Sequence, residues 1–132
     1  KSDDESLATV DAVRIDLYNG SAEFYKAGAA VSFVLHRGKV LRMEGSALPV
    51  GIIRGPEFDK LSCKLSAGDV VLMLSDGAAF DEQFVIEQLE QLEGDLQSFC
   101  DNLALELEKR QPADVADDIT VSALRLKNAR AN

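Results

Sequence analysis

Val70-Val71-Leu72-Met73-Leu74-Ser75-Asp76-Gly77 is an apolar run that ends abruptly in an acid and a glycine. Its first five residues are all apolar, two of them β-branched, and Ser66-Ala67-Gly68-Asp69 bounds them upstream. The run therefore predicts a central strand buried on both faces. Asp76 is then an ionisable group at the exit of the most hydrophobic segment, and Gly77 lets the backbone turn where a Cβ would clash. A carboxylate at the lip of a core strand is well held and partly desolvated, a good position for a metal ligand. Taken alone, an acid-glycine pair after a strand specifies no more than a turn.

The chain around this strand has 132 residues, enough for one domain with a sizeable core. With 14 basic against 23 acidic residues its formal net charge is -9. Nucleic acid is excluded as a partner class, because phosphate binding draws on positive charge that is absent here. An acidic surface is compatible with divalent cations and equally with plain solubility. Cys63 and Cys100 lie far apart, in no metal spacing, and read as reduced thiols in a cytosolic setting, one on a strand and one on the inner face of a helix. No apolar stretch approaches the roughly 20 residues needed to cross a bilayer, and no signal peptide is visible. The opening run Lys1-Ser2-Asp3-Asp4-Glu5-Ser6 reads as the middle of a longer chain.

Upstream of the central strand, Leu7, Thr9, Asp11, Val13, Ile15 and Leu17 alternate along one face of a strand from Leu7 to Tyr18. Asn19-Gly20 predicts a hairpin turn with positive φ at both residues, followed by a partner strand at Ser21 to Ala27. A second hairpin follows, Val31 to His36 and Lys39 to Glu44 joined through Arg37-Gly38. Gly45 to Pro56 reads as a loop, and Phe58, Leu61, Cys63 and Leu65 as a further strand. After Phe80 the period changes to that of helices: Val85, Ile86, Leu89 and Leu92 in the first, capped by Asp81, then Leu96, Phe99, Cys100, Leu103 and Leu107 in the second, capped by Asp95 and ended by Pro112. A final strand follows Ala116-Asp117-Asp118. This order predicts an α+β domain with helices on one face of an antiparallel sheet.

If the strand ending at Asp76 and the strand starting after Asp118 are antiparallel neighbours, their acids converge on one sheet edge. Like charges that close repel unless a cation sits between them, and hard oxygen ligands suit magnesium or manganese. The plainer alternative is that Asp76 and Asp117-Asp118 each serve a separate turn.

The order of these motifs, Ala27-Gly28-Ala29-Ala30, Leu48-Pro49-Val50-Gly51-Ile52, Ser66-Ala67-Gly68-Asp69, Leu74-Ser75-Asp76-Gly77 and Asp117-Asp118-Ile119-Thr120-Val121, resembles the type two C (PPM) metal-dependent protein serine/threonine phosphatases. Within them it is similar to the branch containing stage II sporulation protein E. The resemblance spans Leu7 to Leu126 and implies an antiparallel β-sandwich flanked by helices. It further implies that Asp76 and Asp117 bind two manganese or magnesium ions, with Asp118 at a position that is often Asn and Gly77 as the glycine of the turn. A water acidified by the two cations would attack a phosphoserine or phosphothreonine directly. No Ser or Cys nucleophile is then needed, which leaves His36 an exposed structural residue and Ser75 strand-end scaffolding.

The resemblance has one departure. The family's other metal ligands lie on an early strand and just after it, ahead of its first helices, and no such segment precedes Leu7. The chain therefore reads as the C-terminal portion of one phosphatase domain, with a metal shell too incomplete to bind manganese well. The implied substrate is a phosphorylated anti-sigma-factor antagonist, whose dephosphorylation releases a sigma factor in sporulation; members of the same branch act in stress signalling. The full-length relatives are membrane-anchored by an N-terminal segment around a cytoplasmic domain. Missing helices would also uncover an apolar sheet face for a homodimer to cover. Competing readings are a catalytically inactive phosphatase-like interaction module and a calcium-binding sheet domain, the latter lacking the dense Asp/Asn loop of common calcium sites. The expectation is that these 132 residues alone hydrolyse no phosphoserine protein at enzyme-like rates, which a phosphate-release assay with manganese checks.

Overall fold

The computed structural model describes residues 8–45 and 58–128. The alternating and β-branched segments form strands β1 (Val10–Ile15), β2 (Ser21–Ala27), β3 (Ser32–His36), β4 (Lys39–Met43), β5 (Asp59–Lys64), β6 (Val70–Leu74) and β7 (Val121–Arg125). Helices α1 (Glu82–Glu90) and α2 (Leu96–Arg110) separate β6 from β7. The class is the α+β one expected. The strands make two sheets, β1-β2-β5 and β4-β3-β6-β7, as the family resemblance implied and where the residue pattern alone suggested one. The two consecutive hairpins thus belong to different sheets, and the chain passes from one to the other at Gly28-Ala29-Ala30, with Gly28 at φ 66°. Two compact units result, Lys1–Ala29 with Met43–Lys64 and Ala30–Arg42 with Leu65–Asn132. Of the predicted Gly45 to Pro56 loop, all but Gly45 lies outside the described residues.

In the three-stranded sheet β2 is central and antiparallel to both neighbours. The register lines up Val13, Phe24 and Leu61 in one cross-strand row and Asp11, Lys26 and Asp59 in another two positions along. Ala22, Phe24 and Lys26 share the buried face of β2. Lys26 is wholly buried, and its Nζ donates to Asp11 Oδ1 at 2.8 Å. A buried ammonium is tolerable only with its charge matched, and the register places acids on both flanking strands.

β1 stops at Ile15, short of the predicted Tyr18. Asp16 and Ser21 close a longer loop instead, with Asp16 N donating to Ser21 O and Gly20 N to Asp16 O. Asp16 Oδ1 and Asn19 Oδ1 accept from the backbone of Tyr18 and Ser21, two residues on in each case. Only Gly20 has positive φ there, 81°, so Asn19-Gly20 is not the two-residue turn predicted. Leu17, expected within the strand, is exposed in this loop, and Leu7 lies outside the described residues. The turn with two positive φ values is Arg37-Gly38, at 50° and 81°, between β3 and β4.

In the four-stranded sheet β6 is inner and buried on both faces, as its unbroken apolar run required. Phe33, Val70, Leu72 and Leu74 join Val85, Leu89, Leu103 and Leu107 of the helices in one core cluster. The helical stripes therefore pack on the sheet. Cys100 is buried within α2 and Cys63 lies on β5; both are free thiols, and burial pushes the Cys100 thiol up. His36 differs from expectation: it is no plain exposed residue, because its Nδ1 lies 2.9 Å from the carboxylate of buried Asp69, which also accepts from Ser66 N. This pair ties the end of β3 to the turn that launches β6.

Both predicted helix caps are made. Asp81 Oδ1 accepts from Phe84 N, and Asp95 Oδ2 accepts from the N–H and hydroxyl of Ser98. These bonds, the backbone one foremost, hold the Asp95 carboxyl below its ordinary value of 3.8. A carboxyl whose folded value is depressed stabilises above the unfolded value and loses that contribution as pH falls through the folded one. Asp95→Ala should therefore lower the melting temperature at neutral pH, and the gap to wild type should close as pH drops below 3.8. Thermal unfolding of both proteins across pH checks this; a gap that persists unchanged in acid would count against the cap.

Candidate metal centre

β6 and β7 are antiparallel, in register from Val70↔Arg125 to Leu74↔Val121, so the exit of one strand lies beside the entry of the other. Ser75 N donates to Thr120 O at 3.0 Å and extends the ladder one step beyond the last paired residues. The chain then turns away through a short 3-10 turn, Asp76–Ala78, in which Ala78 N and Ala79 N return to Ser75 O and Asp76 O. Asp76 on one side and Asp117-Asp118 on the other are thereby brought to the same edge, the convergence that the sequence made conditional on strand pairing.

Gly77 is buried at this junction. A Cβ there would run into the backbone carbonyl of Asp118 and stand 3.1 Å from Asp117 Cβ. Gly77 is not among the glycines with positive φ, so close approach of a neighbouring segment, rather than an unusual dihedral, is what requires glycine. Ser75, assigned to scaffolding, does that work: its Oγ accepts from Thr120 N at 2.9 Å and donates to Asp118 O at 3.3 Å.

Gln111 was not singled out from the sequence. It is the C-cap of α2, and its side chain bridges both acid-bearing segments. Nε2 donates to Gly77 O at 2.9 Å and to Asp117 O at 3.0 Å, while Oε1 accepts from Asp117 N at 3.2 Å. Nothing in the sequence marks it, since a polar residue before Pro112 at a helix end is ordinary.

Asp76, Asp117 and Asp118 are all exposed. Asp118 N donates to Asp117 Oδ1 at 2.7 Å, which fixes that carboxylate's orientation. Among the described residues no Lys, Arg or His pairs with any of the three acids. The donor set is all oxygen, the kind that hard divalent cations take. The acids fit such an ion by donor chemistry, though among the described residues no three His, Cys, Asp or Glu side chains, these three included, come together as a metal-holding group. A pocket of about 500 Å³ opens beside Asp117 and Asp118, lined also by Leu105, Glu108 and Gln111 but not by Asp76. His36 pairs at the opposite end of β6, on the order of 20 Å away by strand rise, and takes no part. Among the described residues no helix is long and apolar enough to cross a membrane.

Comparison with known proteins places the chain in a family and a fold. Residues 1–127 match the family described as stage II sporulation protein E (SpoIIE). Stage II sporulation protein E of Bacillus subtilis (strain 168) is 31% identical over 134 residues, which take in 96% of this chain and 16% of that protein. The solved phosphatase domain of the cell fate determinant SpoIIE from Bacillus subtilis, in its manganese-presoaked form, superposes with a TM-score of 0.74 and 29% identity over 92% of this chain and 57% of that one. A longer structure, the PP2C phosphatase domain of the same protein with a fragment of its regulatory domain, gives a TM-score of 0.78 and 30% identity over 90% of this chain and 38% of that one. The chain thus spans a little over half of the solved phosphatase domain and about a sixth of the whole relative.

The packing at Gly77 predicts the behaviour of Gly77→Ala. The added methyl must displace the Asp117-Asp118 backbone, so the variant should lose about 1–3 kcal/mol of stability, the usual cost of overpacking. Denaturant unfolding measures it, and a variant as stable as wild type would contradict the close approach.

Proposed function

This chain belongs to the stage II sporulation protein E family, and on that premise we propose that Asp76 and Asp117 serve a two-cation centre that hydrolyses phosphoserine or phosphothreonine on a protein substrate. The fold is that of the PP2C phosphatase domains it superposes on. The observation that carries the proposal is the junction itself: Asp76 and Asp117 leave paired strands at one edge, with Gly77 packed against the segment that bears the second acid. Asp118 is the secondary candidate, its backbone already engaged by Ser75.

Asp76 and Asp117 would hold manganese or magnesium, manganese being supported by the presoaked relative. Cations at this place supply positive charge that acidifies a water and offsets the charge developing on the phosphoryl oxygens. The chain's own contribution is to hold two carboxylates in fixed relation. Asp117 is oriented by the Asp118 N–H, and the backbone under both acids is pinned by Ser75 and Gln111. Further ligands would be needed for a complete shell, because among the described residues no three such side chains form a metal-holding group. The relatives' names speak of sporulation, and the substrate proposed on that basis is a phosphorylated anti-sigma-factor antagonist whose dephosphorylation releases a sigma factor. A cytoplasmic location goes with such a substrate.

The test is manganese-dependent phosphate release from a phosphoserine protein by the full-length protein and its Asp76→Asn and Asp117→Asn variants. Each substitution should lower kcat by about 100-fold or more, a modest share of the several kcal/mol that metal ions contribute to such reactions. Turnover undiminished in both variants would remove these acids from the centre. A wild type that binds the phosphoprotein without turning it over would make the domain an interaction module.

A further inference from the structure

We infer that Gln111 is a positioning residue for the metal centre, a clamp anchored on α2 that sets the spacing between the two acid-bearing segments. The inference rests on the metal-centre reading of Asp76 and Asp117 and adds to it a residue outside the ligand set. One amide reaches both sides of the junction: Nε2 donates to Gly77 O and to Asp117 O, and Oε1 accepts from Asp117 N. Those three bonds use both amide hydrogens and the amide oxygen, and they hold backbone atoms of one candidate ligand, Asp117, and of the residue directly after the other, Asp76. Ser75 makes a comparable bridge, but from within one of the segments it joins. Gln111 makes its bridge from a third element.

That origin matters physically. The side chain leaves α2 at its C-cap, and α2 is fixed by Cys100, Leu103 and Leu107 in the core. The clamp therefore refers both segments to a rigid helix rather than to each other. The turn that bears Asp76 and the loop that bears Asp117 lie beyond the paired strands, where no ladder holds their spacing, and like charges brought to one edge repel before any cation arrives. A half-buried amide with its hydrogen-bonding capacity used on both segments holds that spacing, as outer partners of metal ligands commonly do.

The test is titration of the full-length protein with Mn²⁺ alone, to saturation or to the solubility limit of the metal, following affinity by electron paramagnetic resonance beside the melting temperature without metal. The proteins are wild type, Gln111→Leu, Gln111→Glu, Asp76→Asn, Asp117→Asn and the control Gln97→Leu, an exposed residue at the far end of α2. Gln111→Glu keeps an acceptor for Asp117 N but sets oxygen against the Gly77 and Asp117 carbonyls, and it serves if the leucine variant fails to fold. Both Gln111 variants should bind Mn²⁺ about 10–100-fold more weakly, the usual penalty for losing such a partner, while Gln97→Leu binds as wild type does. A merely structural Gln111 would lower the melting temperature and leave affinity unchanged. A folded Gln111 variant with wild-type affinity, beside aspartate variants that have lost theirs, overturns the clamp and spares the metal centre. Unchanged affinity in the aspartate variants, or no saturable binding by wild type, overturns both.

Discussion

The hydrogen-bonded ladder between β6 and β7 runs in register up to Leu74↔Val121, and both chains leave the sheet just beyond it. Antiparallel pairing is what makes that place a site. Strands running in opposite directions bring the C-terminal end of one beside the N-terminal end of the other, so residues more than 40 positions apart meet with no connecting loop between them. A register slip of one residue would move every side chain of β7 to the opposite face, taking Val121 and Ala123 out of the helix-packed core. Core packing and the placement of the acids are therefore set by the same pairing.

At the edge itself polar contacts hold the two acid-bearing segments together. Three exposed acids lie on the two segments that meet at the junction, and three neighbours hold those segments together: Gly77 by admitting the Asp117-Asp118 backbone, Ser75 by bridging to Asp118 and Thr120, Gln111 by spanning Gly77 and Asp117. Each of these contacts is made to backbone, so the carboxylates themselves stay available. Asp117 is the partial exception, with one oxygen taken by the neighbouring Asp118 N–H. A carboxylate oriented through one oxygen still offers lone pairs to a cation.

Elsewhere charge is handled by pairing. The three-stranded sheet buries Lys26 in a row between Asp11 and Asp59, and His36 closes on buried Asp69 at the start of β6. The contrast separates the two kinds of ionisable group in this chain. Lys26 and Asp69 are buried and matched, as low-dielectric surroundings demand; Asp76, Asp117 and Asp118 are exposed and lack a cationic partner among the described residues.

The sequence by itself determined the elements and most of their ends. The unbroken apolar run of β6 announced a strand buried on both sides, the 3.6-residue period announced α1 and α2, and Asp81 and Asp95 marked their starts, because each signal is local and depends only on neighbours a few residues away. It also named Asp76, Gly77, Asp117 and Asp118 as candidates, since the motifs that carry the family resemblance are short and contiguous. Local signals misled where two conformations of similar energy compete: Asn19-Gly20 carries the stronger hairpin sequence, yet Asx bonding from Asp16 and Asn19 favours a wider loop, and Arg37-Gly38 takes the tight turn. Tertiary structure alone decided which strands join which sheet, that His36 meets Asp69 across 33 residues, and that Gln111 reaches Gly77 across 34. Such contacts join residues distant along the chain, and their partners are chosen by the packing of whole elements, which leaves no trace in the spacing of the residues that make them.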